Sequence, residues 1–214
     1  MRSRSVFALG IAGASLALHA CVPLKRSPNA NFFVLHAVAE PASPAPGVGG
    51  SLVGVMPVVM PGYLDRPQII TEMDAEQVRV NEYARWAEPL PLAVTRTIAE
   101  NLALRLPEDR VVLHPWPGSS AVFCRVSVQL LEFGVHKDGS VRLEGEFSLL
   151  PEASESPLAR QFVHLRQGPL TKGPEGVAPS TAVGAMNELL ANLSREVAKA
   201  VRALPPPPPA KTAD

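Results

Sequence analysis

Residues 121–133 read AVFCRVSVQLLEF, residues 136–140 read HKDGS, and residues 141–150 read VRLEGEFSLL. In the first run Val122, Cys124, Val126, Val128 and Leu130 alternate with Phe123, Arg125, Ser127 and Gln129. In the last, Val141, Leu143, Phe147 and Leu149 share one face, while Arg142, Glu144, Glu146 and Ser148 share the other. A period of two marks a half-buried strand, and an Asp-Gly pair between two such runs suits a tight hairpin. One apolar face and one wet face is what an antiparallel sheet allows.

Other strands follow from the same reading. FFVLHAV, Phe32 to Val38, is rich in aromatic and β-branched residues and predicts a first strand. LVGVMPVVM, Leu52 to Met60, predicts a second, with Pro57 arguing for an edge or a bulge. QIIT (68–71) and EQVRVNEY (76–83) predict a small hairpin turned by EMDA, and VVLH (111–114) and RQFVHLRQ (160–167) predict two further strands.

Two segments switch to helical spacing. From Pro91, a residue tolerated in a first helical turn, Val94, Ile98, Leu102 and Leu106 fall on one face, and Pro107 ends the run. In residues 180–204, Ala182, Met186, Leu189, Leu190, Leu193, Val197, Val201 and Leu204 recur at steps of three and four. Ser180 or Thr181 is the expected cap, and Lys199 and Arg202 suit the negative end of the dipole. The expected fold is α+β: one domain, a mainly antiparallel sheet, and two main helices packed on one of its faces.

The N-terminus points to the envelope. Met1-Arg2-Ser3-Arg4 is basic, and Val6 to Leu18 carries no charge and no proline. At about 1.5 Å per residue that run makes roughly 20 Å of helix, short of a hydrocarbon core of about 30 Å. It reads as a signal peptide, residues 1–20. Leu18-His19-Ala20-Cys21 has leucine three before a cysteine and a small residue directly before it, as in the bacterial lipobox, although His19 departs from that pattern. Lipidation is therefore expected at Cys21, followed by a linker over 21–30; a plain secreted chain starting near Cys21 is the alternative. With Val22 in place of the aspartate that commonly retains lipoproteins in the inner membrane, the lipobox resemblance implies the outer membrane, periplasmic face.

Twenty basic and twenty acidic side chains cancel, so the charge balance suggests no nucleic-acid partner. If Cys21 is acylated, Cys124 has no partner in the chain and reads as a small buried hydrophobe. Eight of the 23 prolines fall in the loop EPASPAPGVGGS (40–51) and in a polyproline tail, residues 205–214, expected to be disordered. The folded part is then about 31–204.

Few stretches carry residues suited to catalysis or metal binding. No histidine has a second His or Cys at metal-ligand spacing. GGSLV (49–53) lacks the second glycine of a nucleophile elbow, and GPLTKGP (168–174) has proline where a phosphate loop needs lysine. One polar cluster asks for an explanation: YLDRPQII (63–70) with YARWAEPL (83–90) after it. Asp65, Arg66, Glu72, Glu82, Arg85 and Glu88 supply charges, but no His, Lys or Ser completes a catalytic set. No catalytic residue, cofactor or metal is expected. Tyr63, Arg66 and Trp86 are residue types that dominate interface energetics. The other reading, equally open, makes Tyr63 and Trp86 packing aromatics and Asp65 and Arg66 the fixings of a turn.

VGVMPVVMPGYLDRPQIIT (53–71), EYARWAEPL (82–90), AENLALRL (99–106) and VVLHPWP (111–117) together resemble the ABC-type transport auxiliary lipoproteins, the PqiC-like family. The likeness runs from Phe33 into the final helix and is specific over about Val53 to Trp116. It implies a non-catalytic outer-membrane lipoprotein that docks an MCE-domain protein anchored in the inner membrane. With an ABC permease and ATPase, such systems move phospholipids or other hydrophobic molecules between membranes and support envelope integrity. It also implies a homo-oligomer. The expected partner-binding residues are Tyr63, Leu64, Asp65, Arg66, Pro67, Gln68 and Trp86. The alternative role is a general envelope assembly lipoprotein, pilotin-like or a cell-wall synthase activator, with no part in transport.

Overall fold

The structure, a computed structural model, describes residues 29–42, 50–116, 122–152, 154 and 156–205. The expected leader, Cys21, nearly all of the proline tail and most of the loop 40–51 lie outside the described residues.

The sheet is organised by its longest strand, β6 (Cys124–His136). Along one edge β6 pairs antiparallel with β7 (Val141–Leu150), which pairs antiparallel with β8 (Ala159–Gln167). This is the meander the alternation announces. Its first turn carries Gly139 at φ 89°, a left-handed conformation that glycine adopts without steric cost. The other edge of β6 is lined by one collinear stretch of chain. Strand β2 (Leu52–Val55) pairs parallel with Cys124–Val126, Val59 bridges to Gln129, and β3 (Gln68–Glu72) pairs parallel with Val135–His136. Strand β5 (Arg110–Leu113) flanks β2, β4 (Val78–Trp86) flanks β3, and β1 (Asn31–Phe33) flanks β4. A two-stranded ribbon, β9 (Lys172–Gly173) and β10 (Gly176–Val177), stands apart.

The expectation of a mainly antiparallel sheet needs correction: the sheet is mixed, and among the described residues four of its seven strand pairings are parallel. Alternation reports which face a residue occupies and is blind to the direction of the neighbouring strand.

Helix α1 (Leu90–Arg105) lies against β2 and β5, α2 (Pro179–Arg202) against β6, β7 and β8, and the two helices touch each other. The expected stripes are the buried ones: Val94, Ile98 and Leu102 on α1, and Met186, Leu189, Leu190, Leu193, Val197 and Val201 on α2. They meet Val53, Val55, Val126, Val128, Leu143 and Phe147 in one core. The expected cap on α2 is not formed. Ala178 occupies the cap position and Pro179 opens the helix, so Ser180 and Thr181 fall inside its first turn.

The first expected strand is shorter than FFVLHAV. Only Asn31–Phe33 enters the sheet, and the chain then runs as a strap across the helices. Its backbone groups are satisfied by helix side chains instead of a ladder. Arg96 donates to the Leu35 carbonyl, Asn187 Oδ1 accepts from the His36 amide, and Asn101 Oδ1 accepts from the amides of Val38 and Ala39.

Candidate docking site and a carboxylate–imidazole cluster

The collinear stretch beside β6 is interrupted once. After the Val59 bridge, the chain leaves the sheet and returns at Gln68, and the excursion contains YLDRP. Pro61 and Gly62 carbonyls accept the amides of Leu64 and Asp65, folding the excursion into consecutive turns. The Leu64 side chain is 2% exposed and drives into the core, which holds the loop down. At the far end the Pro67 carbonyl accepts the Trp86 amide at 2.7 Å, tying the loop to the end of β4.

This geometry separates the seven expected partner-binding residues into two groups. Leu64 and Trp86 are core: Trp86 is 6% exposed and packs beside Leu64, Ile69, Ile70 and Leu90. They support the surface from beneath. Tyr63, Asp65 and Pro67 are exposed, Arg66 and Gln68 half-buried. Asp65, Arg66 and Pro67 line a hollow of about 270 Å³ together with Trp86, Ala87, Glu88 and Pro89. The two sequence runs therefore meet in one surface feature, although far apart in the chain. Glu88 is already engaged by Arg96 at 2.6 Å, and Arg96 also holds Glu100. Arg66 has no ion pair or hydrogen bond from its guanidinium among the described residues, and no Asp65–Arg66 pair closes the turn. A fixed cation with free donors is left facing the hollow.

Tyr63 points elsewhere. Its hydroxyl donates to Glu72 Oε1 at 3.0 Å. Partial burial, reinforced by the Glu72 carboxylate, pushes the phenol well above its ordinary range and keeps it a donor.

Glu72 belongs to a group that the sequence search missed. Glu72, Glu132 and His136 bring two carboxylate oxygens and one ring nitrogen within 4.8 Å of one another. His136 Nε2 lies 2.5 Å from Glu132 Oε1 and 3.7 Å from Glu72 Oε2. The cause is a bulge. The register of β6 on β7 shifts between Leu130 and Glu132, so the buried parity changes from even residues (Cys124 to Leu130) to odd ones (Phe133, Val135). Glu132 and His136, which strict alternation aims at the core, are turned to the outer face. There His136 is the direct register partner of Glu72. Spacing alone does not bring the pair together, because a Glu and a His four apart on a regular strand stand roughly 13 Å apart; the one signal is that both fall on the apolar parity of the run.

Cys124 is a buried free thiol, as expected, and burial pushes it up to about 12, with the Asp109 charge adding to the effect. No helix among the described residues is long and apolar enough to cross a membrane.

A family model described as the ABC-type transport auxiliary lipoprotein component matches residues 33–198. Among solved structures, the crystal structure of an uncharacterized protein aligns at 21% identity and a TM-score of 0.65, covering 81% of this chain and 99% of that one. A Xanthomonas campestris protein assigned to the family model DUF330 aligns at 13% identity and a TM-score of 0.65, covering 81% of this chain and 95% of that one. At these identities the likeness establishes the fold alone. No curated protein matches the chain.

Proposed function

Because the chain belongs to the ABC-type transport auxiliary lipoprotein family, we propose that it is the non-catalytic, lipid-anchored docking subunit of an envelope lipid transport system. In this reading Cys21 carries the acyl anchor in the outer membrane. Two or more acyl chains suffice for stable attachment, at about 0.8 kcal/mol per buried CH₂. The linker 21–30 spans at most roughly 33–36 Å, which keeps the domain close to the periplasmic face of the membrane. The partner is an MCE-domain protein anchored in the inner membrane, with its ABC permease and ATPase. A homo-oligomer of this chain receives it.

The observation that carries the docking assignment is Arg66. It is half-buried, unpartnered among the described residues, and set in a hollow floored by Trp86. Its guanidinium makes no ion pair or hydrogen bond among the described residues, yet it offers planar donors to a carboxylate or carbonyl of a second chain. Leu64 and Trp86 fix the loop from below so that little ordering entropy is lost on docking.

Arg66→Ala tests the proposal. Loss of an interface hot spot costs about 2 kcal/mol or more, some thirtyfold in affinity, whereas a surface substitution changes stability within about 0.5 kcal/mol. The expected result is weaker crosslinking and co-purification with the MCE-domain protein from the envelope, at an unchanged melting temperature. A variant that melts well below wild type yet binds normally once folded would make the loop scaffold. Capture of a secretion or cell-wall assembly protein in place of the MCE-domain protein would favour the general assembly role.

A further inference from the structure

We propose that Glu72, Glu132 and His136 form a binding site for a divalent cation of the zinc class, at the junction of β3 and β6. Two carboxylates and an imidazole are a ligand set for such an ion. In a tetrahedral site with bonds of about 2.0–2.2 Å, the ligand atoms stand roughly 3.3–3.5 Å apart. The distances here, 2.5 and 3.7 Å from His136 Nε2 to the two carboxylates, bracket that value. All three ligand atoms lie within 4.8 Å of one another, so shifts on the order of an ångström separate this arrangement from a tetrahedral one.

Two further observations point to an ion. His136 Nε2 and Glu132 Oε1 are buried atoms, and despite their close approach neither makes a hydrogen bond of acceptable geometry. A buried polar atom left so is costly, and a shared cation satisfies both at once. The local charge is also predominantly acidic, with Lys137 the one lysine on the adjoining hollow. Glu132 stands directly across from Glu144 on β7, a like-charge pairing that destabilises a sheet. The nearby Arg142 is committed to Asp138 and Ser140, and Arg166 to the same Asp138. An open hollow of about 420 Å³ adjoins the three side chains and is bounded also by Asp74 and Lys137. It gives the ion a path in and room for a water ligand.

The ion has a structural consequence. Glu72 accepts from Tyr63 through its second oxygen, so the cation and the YLDRPQ loop share one carboxylate. A bonded partner that orients a metal-ligating carboxylate raises affinity, and by the same linkage the bound ion fixes Tyr63. The rival arrangement is His136 in contact with both glutamates and no metal.

The test uses the full chain, purified without an affinity tag, stripped with chelator, and titrated with Zn²⁺ and Co²⁺. One ion per chain is expected, with visible Co²⁺ absorption of a low-symmetry site, and Zn²⁺ should shift the ring signals of His136 alone among the histidines. Glu132→Gln, close in size, should bind Zn²⁺ at least tenfold more weakly. His164→Gln, which removes the exposed His164–Glu144 pair, should bind as wild type. Absence of stoichiometric uptake by the wild type, a shift at another histidine, or full affinity in Glu132→Gln would overturn the site. If Glu132→Gln does not fold, the wild-type Co²⁺ spectrum and histidine shifts still decide. None of these readouts requires the docking partner, so the site stands or falls separately from the proposed function.

Discussion

Replacing Asn101 by alanine should release the strap that connects the N-terminal segment to the helices. Asn101 is fully buried on α1, and its Oδ1 accepts the Ala39 amide at 2.9 Å and the Val38 amide at 3.2 Å. Ala39 is itself buried. Its amide is therefore left without that acceptor in a place water does not reach, at a cost of about 1–3 kcal/mol. Val38 is half-buried and regains water in part. Its loss is the ordinary net worth of one hydrogen bond, about 0.5–1.5 kcal/mol. Removal of the unpartnered Nδ2 donor offsets a fraction of this. The net expectation is about 2–3 kcal/mol. Urea unfolding should show a lower midpoint with an unchanged slope, since the surface exposed on unfolding is the same. Amide exchange should accelerate first at Val38, Ala39 and Ala42. Asn187→Ala is the internal comparison: its Oδ1 accepts the amide of exposed His36, and its Nδ2 lies 3.1 Å from His36 Nδ1. There both His36 groups regain water, so each of the two bonds contributes only its ordinary net worth of about 0.5–1.5 kcal/mol, no buried amide is stranded, and exchange over 38–42 should not change. Two results would refute the assignment of Asn101 as the strap's clasp. One is an Asn101→Ala protein whose stability falls within about 0.5 kcal/mol of wild type, the range of an inert surface substitution. The other is a destabilised protein with no change in exchange over 38–42.

Two further outcomes are expected. Leu193 is fully buried in the middle of α2. Leu193→Ala should lower stability by about 2–5 kcal/mol in denaturant titration, and equal midpoints would mean the helix is not packed as described. Cys124 has a folded-state pKa raised to about 12, against about 8.5 in the unfolded chain. Its raised value contributes stability fully present below about pH 8.5 and progressively lost as pH rises toward 12. Cys124→Ala should therefore show a shallower alkaline loss of stability than wild type, measured by thermal midpoints from pH 7 to 11, and the wild-type thiol should react with a disulfide reagent only on unfolding.

How far the sequence could be read depended on whether a feature was local. The β6–β7–β8 meander was legible because each strand carries its own alternation and the Asp138-Gly139 turn its own chemistry. Both helices were legible from spacing alone, down to the buried Val94, Ile98 and Leu193. The parallel edge of β6 was not. Residues 52–72 lie along it by virtue of a register with a strand far downstream, and no periodicity encodes a partner's direction. The strap failed for a related reason: Phe32 to Val38 has strand composition, but beyond Phe33 its amides face Asn187 and Asn101, buried polar residues whose purpose appears only when the segments meet.

The candidate site divides along the same line. The YLDRPQ run was conspicuous because charged and aromatic residues crowd a stretch bounded by prolines, and chemistry alone could not say which of them faced solvent. Leu64 and Trp86 turned inward and Arg66 did not, a sorting made by the core beneath the loop. The Glu72–Glu132–His136 group was not legible from residue spacing, for a stronger reason. It exists because one extra residue near Leu131 reverses the parity of β6, and because β3 returns beside the reversed segment. Without the bulge, Glu132 and His136 would be aimed into the core, where a carboxylate and an imidazole without partners are costly to bury. Those two residues are therefore compatible with the fold only on the outer face. A polar pair falling on the apolar parity of an otherwise regular strand marks where its register must break, and places beside that break the groups most available for binding.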